Sequence, residues 1–138
     1  MTRSIPQIRD LFVATLASGA LLLATAAPSF AADAAKEIAT ATDHAGYAAD
    51  ATVLKTTYTH LHHTINCLVG PKDADFDAKE ANPCAAMGDG AIPDTSDAAT
   101  KMALSSAVTK AKAGLAATDL TAAKADAVTV QEMLKQVK

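Results

Sequence analysis

The sequence has no tryptophan, two tyrosines and three phenylalanines in 138 residues, so a core built on large aromatic side chains is excluded. Basic residues are also scarce. Twelve Lys and Arg against fifteen Asp and Glu give a net charge of −3 and a pI near 5.7. No basic surface is available to neutralise phosphates, and a nucleic-acid partner is not expected. The chain lacks C-x-x-C-H, H-E-x-x-H, G-x-S-x-G and a phosphate-cradling glycine loop, which excludes the covalent-haem, zinc-protease, hydrolase-elbow and nucleotide chemistries those motifs carry. A core this thin also leaves little room for a catalytic pocket, so no enzymatic activity is expected.

What the chain has instead is alanine, 34 residues of it, so the 50% hydrophobic share consists largely of helix-forming methyl groups. The length suits one domain. Arg3 and Arg9 precede an apolar run from Leu11 to Ala27, and Ser29 and Ala31 place small residues at the −3 and −1 positions of a cleavage site. This is the layout of a secretory signal peptide over residues 1–31. The run is shorter than the roughly 20 residues a spanning helix needs, and no twin arginine or lipid-bearing cysteine accompanies it. Bacterial Sec export to the periplasm or the medium is therefore expected, with no membrane attachment after cleavage. The domain is then residues 32–138, with a net charge of −4 once Arg3, Arg9 and Asp10 are gone.

Cys67 and Cys84 are the only cysteines. In an oxidising compartment such a pair reads as one disulfide, and it would staple a domain too small to bury much of its surface. A stretch of different character begins just after Cys67 and runs past Cys84. Pro71, Pro83, Pro93, Gly88, Gly90 and several acidic residues mark a connection over about residues 70–94, tied by the disulfide to the end of the preceding helix.

On either side the pattern is helical. From Ala32 to Val69 there is no proline, and Tyr47, Ala51, Leu54, Tyr58, Leu61, Ile65 and Leu68 recur at steps of four and three, ending at Gly70-Pro71. Gly46 is the one position in that stretch where a break is expected. Beyond the loop, Leu104, Val108, Ala111 and Leu115 form one stripe after a cap at Thr95, Ser96 or Asp97. Leu120, Ala123, Ala127, Val130, Leu134 and Val137 form another after Thr118 or Asp119. The expected fold is all-α: an up-and-down bundle of four helices if Gly46 splits the first segment, and of three if it does not. An apolar seam shared between two copies would make a homodimer.

Three of the four histidines fall in the run His60-Leu61-His62-His63. His60 and His63 stand about 60° apart on one helix face, with Cys67 one turn further on, and imidazoles at i, i+3 can share an ion. Imidazole suits Cu, Zn and Ni. The disulfide-tethered loop would bring Asp73, Asp75, Asp77 and Glu80 within reach, so the expected site has His60 and His63 as ligands, completed by a carboxylate from Asp73, Asp75 or Asp77, or by His62. His62 borders the apolar seam and suits packing or hydrogen bonding better than ligation. His44 lies too far along a continuous helix to join, unless the chain folds back at Gly46. Asp73, Asp75 and Asp77 alternate as calcium ligands do, but Ala78 and Cys84 occupy the positions where an EF-hand needs glycine and glutamate, which excludes that motif. The function expected is reversible binding of one transition metal ion by an exported helical protein. The alternatives are a ligand-free interaction module of the cell envelope and a non-covalent haem binder.

Overall fold

The computed structural model describes residues 32–137; the expected leader, 1–31, lies outside them. Among the described residues there are five helices and no strand: α1 (Ala34–Asp50), α2 (Leu54–Val69), α3 (Ala91–Asp94), α4 (Ala98–Ala116) and α5 (Leu120–Lys135). α3 is a single turn inside the expected loop. The other four form an up-and-down bundle. Three-residue joints, 51–53 and 117–119, reverse the chain between α1 and α2 and between α4 and α5. α1 and α4 each pack against both α2 and α5 and sit diagonally across the bundle from one another.

The helix starts follow from local chemistry. The carboxylates of Asp33, Asp97 and Asp119 accept from the backbone N–H of Lys36 (3.0 Å), Thr100 (2.7 Å) and Ala122 (2.9 Å), satisfying donors that the first turn leaves without an intrahelical partner. α2 has no such cap. It begins after Val53, whose extended backbone (φ −135°, ψ 142°) closes a joint containing the β-branched pair Thr52-Val53.

The first segment is thus split, but not at Gly46. That glycine is buried within α1 and keeps helical geometry, and a Cβ there would meet the side-chain amide of Gln131 on α5. The reversal also changes which residues form the seam. Tyr47 is 54% exposed, and α1 contributes Ala41, Ala45 and Ala48 to the interior instead. Against these pack Leu61, Ile65 and Leu68 of α2, Leu104, Ala107, Val108 and Ala111 of α4, and Ala127, Val130 and Leu134 of α5. Each fully buried leucine stabilises the bundle by roughly 1.5–3 kcal/mol. The Tyr58 hydroxyl donates to the Ala117 carbonyl, fastening the start of α2 to the end of α4.

The connection from α2 to α4 is held at several points. Cys67 and Cys84 form the disulfide, with Cα atoms 5.2 Å apart. Gly70 and Gly90 both have positive φ (72° and 112°) and meet backbone to backbone, so that a side chain on either would overlap the other strand of the loop. Buried Asn66 acts as a clamp: its Nδ2 donates to the carbonyls of Asp77 (3.0 Å) and Ala81 (3.1 Å), and its Oδ1 accepts from the Asp77 N–H (2.9 Å). The far end of the loop docks on Glu37 of α1. This carboxyl group is fully buried; Oε1 accepts from the Gly90 N–H (3.1 Å), while Oε2 has no hydrogen-bond partner. Burial raises its pKa from 4.5 to about 7, the Gly90 hydrogen bond opposes the rise, and the Asp94 and Asp33 carboxylates add to it.

Candidate metal centre

The reversal at residues 51–53 lays α1 antiparallel to α2 and brings His44 onto the face that carries His60 and His63. The three rings form a compact cluster, with centroids 5.3 Å (His44 to His60), 5.0 Å (His44 to His63) and 5.6 Å (His60 to His63) apart. One nitrogen from each lies within 4.8 Å of the other two. His44 Nδ1 and His60 Nδ1 are 3.2 Å apart and share a proton as a hydrogen bond. The Thr64 hydroxyl, which reaches the carbonyls of both His60 (2.9 Å) and Ala41 (3.3 Å), holds the two helices together beside the cluster. Tyr47 leans its ring against His44 and His60, with centroids at 5.4 and 5.5 Å, on the solvent side.

The electrostatics favour neutral imidazoles. Burial, then the neighbouring His63 and His60, lower the His44 pKa from 6.5 to about 4 against a weak upward pull from Asp43. Burial also lowers His60. His63 is lowered by burial and by His60, with Glu80 opposing. All three are therefore neutral at neutral pH, which is the form a metal needs, and an ion would displace the proton that His44 and His60 share. The geometry passes a second test. Nitrogens bound at about 2.0–2.1 Å to one tetrahedral zinc are about 3.3 Å apart, close to the His44–His60 spacing of 3.2 Å, and the two edges to His63, each within 4.8 Å, close with a shift of up to about 1.5 Å. His63 Nδ1 is buried with no hydrogen-bond partner, a polar atom whose desolvation nothing in the protein offsets.

The cluster contains His60 and His63 and adds His44. It does not contain the other residues that the sequence places nearby. His62 turns away, its Nδ1 3.4 Å from Asp77 Oδ2. The Asp73 carboxylate accepts from the Asp75 N–H (2.8 Å) and that of Asp77 from the Lys79 N–H (2.9 Å), so each is engaged in its own turn. Asp75 pairs with Lys112 of α4 at 2.5 Å. Of the expected loop carboxylates, Glu80 approaches the cluster, with Oε2 3.9 Å from His63 Nε2. Cys67 is in the disulfide and leaves the donor set free of thiolate. On one straight helix His44 shares the azimuth of His62, 18 residues on, and not that of His60 or His63, so it is the reversal between residues 44 and 60 that brings it to them. The β-branched pair Thr52-Val53 was the local signal for it.

Among the described residues no helix is long and apolar enough to cross a membrane. Comparisons with protein-family models, with curated proteins and with solved structures return no match for this chain.

Proposed function

We propose that this chain is an exported helical protein that binds one first-row transition metal ion reversibly through His44, His60 and His63. The observation carrying the proposal is the convergence of three neutral imidazole nitrogens within 4.8 Å, from two helices that the fold holds in fixed register. Three imidazoles without thiolate suit Cu(II), Zn(II) and Ni(II), with Cu(II) the tightest by the usual order of divalent affinities. A disulfide in so small a domain fits an oxidising compartment and supports the export reading. The protein acts by binding rather than by catalysis, consistent with a core of small side chains and a site that lies on one face of a helix pair.

Calorimetry or chelator competition with Cu(II), Zn(II) and Ni(II) tests this on residues 32–138. One ion per chain is expected, with binding abolished by His44→Ala as well as by His60→Ala and His63→Ala. Loss of binding in the latter two but not in His44→Ala would restore a site centred on α2 alone. Wild-type protein that binds none of the three ions more tightly than the triple variant would return the chain to the ligand-free interaction module.

A further inference from the structure

We infer that Glu80 is the positioning residue of this centre, holding the His63 proton on Nε2 so that the Nδ1 lone pair is presented to the ion. The inference rests on the metal reading above and deepens it. A neutral imidazole has one N–H and one lone pair, and which nitrogen carries the proton is set by what the other nitrogen meets. At His63 the two nitrogens meet different surroundings. Nδ1 is buried without a partner, and Nε2 faces Glu80 Oε2 at 3.9 Å. An ionised carboxylate only accepts, so it favours the proton on the nitrogen that faces it.

Glu80 is well placed to act in this way because the backbone carrying it is fixed. Asn66, one turn beyond His63 on the same helix, binds the loop on both sides of Glu80 through Asp77 and Ala81, and the Glu80 N–H itself donates to the Asp77 carbonyl (3.2 Å). The disulfide from Cys67 to Cys84 anchors the same loop a few residues on. The neighbouring acid is already committed, since Asp77 faces His62. The side chains of His63 and Glu80 are 13% and 33% exposed, so water screens their interaction only in part. When the ion draws electron density from the ring, the Nε2 proton becomes more acidic and its attraction to the carboxylate grows. That is how an outer carboxylate raises the affinity of a histidine ligand. The stretch His60 to Cys67 thus does three jobs from one helix: two ligands, the clamp that sets the outer carboxylate, and the covalent anchor of its loop.

Two readouts on residues 32–138 test the assignment. In Zn(II) competition against a chromophoric chelator, Glu80→Ala should weaken binding about 10- to 100-fold, and Glu80→Gln, whose amide oxygen still accepts, should lose less. In metal-free protein, long-range proton–nitrogen correlation spectra should show His63 as the Nε2–H tautomer in the wild type and in Glu80→Gln, and a mixture in Glu80→Ala. Helicity and thermal midpoint should be nearly unchanged in both variants, and if Glu80→Ala loses helix the Glu80→Gln protein carries the affinity comparison. Wild-type affinity in Glu80→Ala together with an unchanged His63 tautomer would overturn the inference. A wild type that binds no zinc would defeat the metal reading instead, and the tautomer spectra would then decide Glu80's influence on the ring by themselves.

Discussion

Replacing Glu37 with glutamine should stabilise this protein above neutral pH and leave it unchanged near pH 5. Glu37 is fully buried where the loop docks on α1, and its pKa is raised from 4.5 to about 7 by that burial. The folded state therefore holds this proton more tightly than the unfolded chain does. The contribution to stability is fully present below pH 4.5 and is lost as pH rises through about 7, where the carboxyl group must ionise in place. At 1.36 kcal/mol for each tenfold change in proton affinity, the loss is about 3 kcal/mol. Glutamine has the same shape and can still accept from the Gly90 N–H. It never ionises. The assay is urea unfolding at pH 5, 6, 7 and 8, followed by circular dichroism, for wild type and Glu37→Gln in parallel. The histidine cluster has the opposite sign: its depressed pKa values stabilise the fold above about 6.5 and that contribution is lost as pH falls toward 4. Both proteins share that term, so their difference isolates Glu37. A difference that stays flat from pH 5 to 8, or a glutamine variant less stable than wild type at pH 8, would refute the reasoning.

Reducing the disulfide, or replacing both Cys67 and Cys84 with serine, should cost roughly 3 kcal/mol for a loop of this length, seen as a lower urea midpoint. Asn66→Ala should cost about 2–4 kcal/mol, because it removes the clamp and leaves the Asp77 N–H and two loop carbonyls without their partner; hydrogen exchange should accelerate over residues 77–81 while α4 and α5 stay protected. Metal binding should persist as pH falls through 6.5 and weaken only further down, since His44 accepts a proton only near pH 4; half-loss of binding at or above pH 6.5 would contradict the depressed values. Saturating zinc should raise the thermal midpoint in wild type but not in His44→Ala, because only the ligated state gains binding free energy.

What the sequence disclosed was set by how local its cause is. The starts of α4 and α5 are written in Asp97 and Asp119, each acting on an N–H three residues away, and the stripes that follow need only helical period. The disulfide follows from there being two cysteines and no others. The pairing of His60 with His63 is likewise a property of one helix. His44 was harder, because its place depends on where the chain reverses. A glycine inside a helical pattern suggests a break, yet Gly46 stays helical and faces Gln131 of α5, four helices along the chain. The loop carboxylates illustrate the same limit. Reach from the disulfide places them all near the imidazoles, but Asp73 and Asp77 close their own turns, and Asp75 is drawn off by Lys112, 37 residues later. Short-range capture of an acid by its own backbone is visible in sequence only to a reader who already knows the turn.

The alanine ridge on α1 reverses the usual direction of mutational risk. Most cores fail when a large side chain is cut away and a cavity is left. Here Ala41, Ala45, Ala48 and Gly46 bury their faces with almost nothing to truncate, and a Cβ on Gly46 would already meet the Gln131 side chain of α5. Growth, not loss, is what this surface cannot absorb: a single added isopropyl group must push α1 away from α2 or α5. Since the imidazoles bridge that same α1–α2 gap, a bulky substitution at Ala41 or Ala48 would widen the distance between His44 and its two partners without touching any of them. The spacing of the cluster is thus set by residues whose contribution is their smallness.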